Sequence, residues 1–94
     1  PQSLDANLAL GQWYLSTNDV DSALSLYQQA LSWQPMSGAL YNNYAVALCV
    51  AGDWEKALRY FDKVTLDPVY PHHARAEANK AECLARVGHD AAQP

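Results

Sequence analysis

The sequence predicts an all-α fold in which two helical hairpins are followed by one further helix. Three observations support this prediction: the sequence repeats itself with a period of 34 residues, apolar residues recur at helical spacing, and turn-forming residues separate the helical segments. We predict helices at about 4–17, 20–34, 38–50, 54–66 and 71–87, and a frayed tail over residues 88–94.

The period is seen when the sequence is compared with itself. Ala23-Leu24 recurs 34 residues later as Ala57-Leu58. Gly52 recurs as Gly88 at a spacing of 36 residues, so a third copy begins after an insertion of two residues. We therefore expect a single domain over residues 1–94, with repeat 1 over about 4–37, repeat 2 over about 38–70 and an extra helix over about 71–87.

The two hairpins are predicted from apolar spacing and from their turns. Leu4, Leu8 and Leu15 give the first helix an apolar stripe. The turn residues Asn18 and Gly52 tolerate the left-handed backbone conformation that ends a helix. The aspartates that follow these two residues can cap the next helix of each hairpin.

Small residues stand where neighbouring helices must approach closely. Five of them occupy such positions in the two repeats: Gly11, Ala23, Ala30, Ala45 and Ala57. Tyr14, Tyr27 and Phe61 are expected to fill the gaps opposite them. We expect Trp13 and Trp33 to pack against neighbouring helices as well.

The predicted helix over about 71–87 corresponds to the first helix of a third repeat, and no second helix of that repeat follows it in the sequence. Helical repeats bury their apolar faces only by stacking on their neighbours. We therefore interpret the chain as an excerpt of a longer protein, and we expect self-association through the truncated end.

Composition excludes several classes of function. Half of the residues are apolar and 17% are charged, below the ordinary value of about 25%, so the chain can bury a core. The net charge is −4 and no basic stripe is present, which argues against nucleic-acid binding. No apolar run approaches the roughly 20 residues of a membrane span.

Catalytic and metal-binding patterns are missing from the sequence. No His is paired with a Ser or Cys as in a nucleophilic triad, and no Gly-rich loop precedes a helix. His72 and His73 are adjacent on a helix and so point about 100° apart, which favours a solvated helix start over a metal site. We predict no enzyme activity, no cofactor and no metal.

The repeat resembles the tetratricopeptide repeat (TPR) family. The matching positions are Leu10-Gly11, Tyr14, Ala23, Tyr27, Ala30 and Pro35 in the first copy, and Tyr41, Tyr44-Ala45, Leu48, Ala57, Phe61 and Val64 in the second. Asn7 stands where the pattern usually has Trp. The resemblance implies a right-handed superhelix, an α-α solenoid, whose first helices line an inner groove that binds a protein or peptide segment.

Residues 40–88 carry a more particular resemblance, to the type IV pilus biogenesis and stability lipoproteins of the PilF/PilW (pilotin) kind. The stretches that carry it are Asn42-Asn43-Tyr44, Ala47-Leu48-Cys49, Gly52, Asp67-Pro68-Val69-Tyr70-Pro71, Ala78-Asn79 and Cys83. It implies a place on the periplasmic side of the outer membrane and a secretin subunit or another pilus assembly protein as partner. A tight-adherence pilus protein and a generic cytoplasmic adaptor are the alternatives.

The two cysteines can be interpreted in two ways. Free Cys is among the most buried residue types, so Cys49 and Cys83 can be inert core thiols. Pilotin-like relatives carry Cys at both matching places, and this resemblance implies a disulfide if the protein is periplasmic but not if it is cytosolic.

The inner groove implied by the TPR resemblance supplies the candidate site. The first helices are predicted to place fifteen residues on this inner surface: Asp5, Leu8, Ala9, Gln12, Leu15, Ser16, Asn42, Asn43, Val46, Val50, Arg75, Ala78, Asn79, Glu82 and Arg86. Those predicted to bind a partner segment are Leu8, Gln12, Asn42, Asn43, Val46, Arg75 and Asn79. Asn43 and Asn79 occupy the same position in successive copies, and an Asn amide offers both a donor and an acceptor to the backbone of a bound segment. The alternative is that both amides form hydrogen bonds only with water. Too few positive residues line the groove to resemble the clamp that holds acidic chaperone tails.

Overall fold

A computed structural model describes residues 3–92, and the side chains of residues 3–88. The helices are α1 (Leu4–Ser16), α2 (Val20–Trp33), α3 (Gly38–Ala51), α4 (Trp54–Lys63) and α5 (His73–Ala92), with a 3₁₀ turn at Val64–Leu66 after α4. No strand occurs among residues 3–92. The predicted all-α repeat fold is confirmed.

The helices form two antiparallel hairpins and one added helix. α1 pairs with α2 and α3 pairs with α4, while α2 packs on α3 to join the hairpins. α3 also contacts α1 and α5, so it touches every other helix. Nine of its fourteen residues are buried for this reason.

The predicted turns have the expected backbone. Asn18 has a φ of 62° and Gly52 a φ of 89°, both in the left-handed region. Asp19 caps α2 by accepting a hydrogen bond from the Ser22 N–H at 3.2 Å. Asp53 occupies the N-cap position of α4 as predicted, but its side chain makes no hydrogen bond to the helix.

The end of the last helix differs from the prediction. The sequence analysis ends this helix at residue 87 and places a frayed tail over 88–94, but α5 begins at His73 and continues to Ala92. A glycine ends a helix when it adopts a positive φ, and Gly88 does not. Gly inside a helix costs only about 1 kcal/mol, and the alanines that follow favour the helix. Residues 93 and 94 lie outside the described part.

The core is built from small and aromatic residues that alternate across the helix contacts. Ala23, Ala45 and Ala57 are completely buried, and Tyr27 and Phe61 lie in the same cluster. The expectation for two tryptophans is wrong, since Trp13 is 58% exposed and Trp33 is 42% exposed. Neither side chain therefore belongs to the core.

α5 is attached through few buried side chains. Among residues 73–88, only Ala76 and Cys83 are buried, and neither is large. Cys83 is joined to Cys49 of α3 by a disulfide, with a Cα–Cα distance of 6.0 Å. On the solvent side, Lys80 forms an ion pair of 2.7 Å with Asp62, and an exposed pair of this kind stabilises little. The covalent bond is therefore the strongest attachment of α5.

No helix within residues 3–92 is both long enough and apolar enough to cross a membrane.

Two glycines allow a matched test of the packing. A Cβ at Gly11 would overlap the ring and hydroxyl of Tyr27, whereas a Cβ at Gly88 would meet no atom within 4 Å. We predict that Gly11→Ala lowers the free energy of unfolding by about 1–3 kcal/mol through overpacking. Gly88→Ala should raise it by up to about 1 kcal/mol through helix propensity.

Urea denaturation followed by circular dichroism at 222 nm measures both changes. Equal stabilities for the two variants would contradict the close contact between α1 and Tyr27.

A second prediction concerns the disulfide. The cross-link closes a loop with a sequence separation of 34 residues, so its loss should lower the free energy of unfolding by about 4 kcal/mol on the chain-entropy account. The measurement compares oxidised wild type with wild type in reductant and with Cys49→Ala/Cys83→Ala. Alkylation of the unreduced protein should modify neither Cys49 nor Cys83. Two modified thiols in air-oxidised protein would disprove the cross-link.

Candidate partner-binding groove

One groove collects residues from α1, α3 and α5. It has a volume of about 320 Å³. All seven residues predicted to bind a partner line it: Leu8, Gln12, Asn42, Asn43, Val46, Arg75 and Asn79. Seven others predicted for the inner surface do not: Asp5, Ala9, Ser16, Val50, Ala78, Glu82 and Arg86. Five more complete the lining: Leu15, Tyr27, Ala39, Tyr70 and His72. The structure thus brings the predicted residues together, and their role in binding stays a prediction.

Helical spacing explains how three helices supply these side chains. On α1, Leu8, Gln12 and Leu15 are separated by four and three residues and so share one face. Arg75 and Asn79 are four apart on α5 and share a face in the same way. α3 lies between them and forms the floor with its asparagines and Val46.

The three asparagines form a hydrogen-bonded chain. Nδ2 of Asn79 donates to Oδ1 of Asn42 at 3.1 Å, and Nδ2 of Asn42 donates to Oδ1 of Asn43 at 3.4 Å. Asn42 is only 3% exposed, so its amide mainly links the other two. The Asn79 oxygen bonds no described protein group and remains for a ligand, whereas the Asn43 amide also lies beside the Tyr27 hydroxyl.

Tyr27 lies under the same floor with an unused hydroxyl. Its side chain is fully buried, and its Oη has no hydrogen-bond partner among the described residues. Burial raises the pKa of this hydroxyl, and the neighbouring Asn43 side chain offsets part of the rise. The Asn43 amide is thus close to the hydroxyl without completing a hydrogen bond to it.

The segment before α5 closes one end of the groove. Asp67 holds this segment, since its Oδ2 accepts from the Gly38 N–H at 2.8 Å and its Oδ1 accepts from the Val69 N–H at 3.2 Å. The Tyr70 and His72 rings meet edge to face at 5.6 Å. A Cβ at Gly38 would come within 2.9 Å of Tyr70, so this ring lies directly on the start of α3.

The sequence analysis missed Tyr27, Ala39, Tyr70 and His72 as lining residues. It assigned Tyr27 to the gap opposite Gly11, where it does pack, and the hydroxyl reaches the floor from there. It interpreted His72 and His73 as a solvated helix start. His72 is exposed at the start of α5, as expected, and also lines the groove, whereas His73 is half-buried and its ring Nε2 lies 2.9 Å from the Asp67 carbonyl oxygen. Helical periodicity does not predict where the residues of a loop lie. The sequence features that indicated a loop here were Asp67-Pro68 and Pro71.

The described part of the chain assembles no set of metal ligands. Within residues 3–88, no group of three or more His, Cys, Asp or Glu side chains is close enough to hold a metal ion.

The buried hydroxyl of Tyr27 leads to a third prediction. A buried donor without a partner costs about 1–3 kcal/mol, so Tyr27→Phe should raise the free energy of unfolding, by about 1 kcal/mol. Thermal and urea denaturation of the oxidised protein measure the change. Tyr14→Phe is the control, because the Tyr14 side chain is only partly buried and its hydroxyl is not among the orphaned groups. A loss of stability in Tyr27→Phe would show that the hydroxyl is in fact satisfied.

A comparison with protein families identifies the repeat. Residues 14–69 match the family model described as Tetratricopeptide repeat. The match begins inside α1, covers all of α2, α3 and α4, and ends before α5. It therefore includes the floor of the groove but not the wall that carries Arg75 and Asn79.

Proposed function

The chain belongs to the tetratricopeptide repeat family, and from this premise we propose that it is a non-catalytic scaffold whose groove binds a segment of a partner protein. One observation carries the proposal: seven residues predicted from the sequence to bind a partner line a single groove. The repeat itself indicates a protein–protein interaction module.

Binding uses both the apolar and the amide parts of the groove. Leu8 on one wall and Val46 on the floor offer apolar surface, and a bound segment removes that surface from water. The unused oxygen of Asn79 accepts from an N–H of the segment's backbone, and the Asn43 amide pairs with a backbone carbonyl. Such contacts hold an extended segment whatever its side chains are.

The finer part of the proposal is a role in type IV pilus biogenesis. Its support is the resemblance over residues 40–88 to pilotin-like lipoproteins, including the stretch that runs from Asp67 to Pro71. The partner is then a secretin subunit or another pilus assembly protein. The disulfide between Cys49 and Cys83 is consistent with the periplasmic side of the outer membrane, because disulfides persist in oxidising compartments. A tight-adherence pilus protein and a cytoplasmic adaptor are the alternatives.

The fourth prediction tests the groove. A protein with Asn43→Ala, Asn79→Ala and Val46→Glu should lose its partner, since two hydrogen bonds of about 0.5–1.5 kcal/mol each are removed and a charge obstructs the floor. Immobilised wild type and variant are compared for capture of partners from periplasmic and cytoplasmic extracts, and captured proteins are identified by mass spectrometry. Binding of the purified partner is then measured by calorimetry.

The matched control changes the outer helices at Gln28 and Arg59, which are both exposed and outside the groove. Loss of the partner in this control with retention in the groove variant would place binding on the other face. A partner found only in the cytoplasmic extract would contradict the pilus proposal and leave the scaffold function intact.

A further inference from the structure

A second cavity lies between α3 and α5, near the turn that joins α3 to α4. Its volume is about 630 Å³. Its lining is Cys49, Val50, Ala51, Gly52, Trp54, Glu82, Ala85 and Arg86. None of these residues lines the groove, so this space is a separate candidate site.

A smaller cavity of about 200 Å³ joins the second cavity to the groove. It shares Val46 and Asn79 with the groove. It shares Val50, Glu82 and Arg86 with the second cavity. These three residues were predicted for the inner surface, and this is where they lie. The three spaces therefore form one continuous channel along α3 and α5.

The two walls of the channel are fixed relative to each other. Cys49 of α3 and Cys83 of α5 both line the smaller cavity, and their disulfide holds the two Cα atoms 6.0 Å apart. The bond between Asn42 and Asn79 connects the same two helices in the same order along the chain, so α3 and α5 run in the same direction. A channel with fixed walls is already formed before a ligand arrives, which lowers the entropic cost of binding.

The chemistry of the second cavity favours an uncharged, apolar group. Val50 is 51% exposed and Trp54 is half-buried, so both keep apolar surface in contact with water. A bound group that covers this surface is favoured by the hydrophobic effect. Glu82 and Arg86 have opposite charges and lie one turn apart on α5, so the lining carries no net charge.

We propose that the partner segment continues beyond the groove and places a large apolar side chain in the second cavity, against Val50 and Trp54. This rests on the proposed function, because the same segment occupies the groove. Asn43 and Val50 are seven residues apart on α3, which is about 10 Å along the helix. An extended segment spans that distance with about three residues. The apolar residue should therefore lie about three positions from the residue whose backbone pairs with Asn43.

The experiment uses a phage-displayed library of random twelve-residue peptides, selected on the oxidised wild-type chain. Selected peptides are synthesised, each position is replaced by Ala in turn, and Kd is measured by fluorescence anisotropy. We expect one large apolar residue whose replacement raises Kd by about tenfold. Val50→Gln should raise Kd by about fivefold for the intact peptide, with little further loss when both changes are combined.

Val69→Gln is the matched control, because Val69 is 85% exposed and lines neither the groove nor the second cavity. It should leave Kd unchanged. Equal effects of Val50→Gln and Val69→Gln, or the absence of any peptide residue whose effect depends on Val50, would overturn the proposal.

The fluorescence of Trp54 reports where the apolar residue binds. The double variant Trp13→Phe/Trp33→Phe leaves Trp54 as the one tryptophan of the chain. Binding of a peptide without Trp should shift the emission to shorter wavelength, because the apolar residue covers the ring and removes water from it. The same peptide with Ala at that position should cause no shift. Unchanged emission with the intact peptide bound would also overturn the proposal.

The same peptides separate this proposal from the function on which it rests. If Asn43→Ala, Asn79→Ala and Val46→Glu weaken binding while Val50→Gln does not, the second cavity is not used and the groove function stands. If those three changes have no effect, or the library yields no binding peptide, the groove function itself is wrong.

Discussion

The structure depends on the burial of α3 by all four other helices. A helix that is enclosed on every side must present small residues where its neighbours approach, and Ala45 and Ala47 are completely buried for this reason. It must also satisfy every polar group that it encloses. Asn42 meets this requirement by bonding to Asn79 and Asn43, so the same contact that completes the interior also arranges the floor of the groove.

The groove is therefore a result of packing. α1 and α5 both pack against α3. The groove is the space between α1 and α5, with α3 as its floor. Tyr27 links the core to the floor of the groove, since its ring packs on Gly11 and its hydroxyl lies close to Asn43. A phenyl ring would fill the same space in the core, since no described protein group uses the buried hydroxyl.

Periodicity predicted most of the fold, because each hairpin repeats one set of local rules. The turns at Asn18 and Gly52 and the small residues at Ala23 and Ala57 are fixed by short-range sterics, which a sequence records directly. Lining residues on helices followed from the same spacing. Tyr70 and His72 did not, because their place depends on the bond between Asp67 and Gly38, which are 29 residues apart. The exposure of Trp13 depends on which neighbours are present, which no local pattern states. The length of α5 was missed because Gly88 keeps a helical backbone where Gly52 adopts a positive φ.

The cross-link between Cys49 and Cys83 has a mechanical consequence. When tension is applied to the two ends of the chain, force passes directly from α3 to α5 through the sulfur atoms. The residues between them, which include all of α4 and the loop that closes the groove, carry no load. A separation of 34 residues corresponds to roughly 120 Å of extended chain that cannot be drawn out. Under such tension α4 and the loop that closes the groove stay within the cross-linked part of the chain.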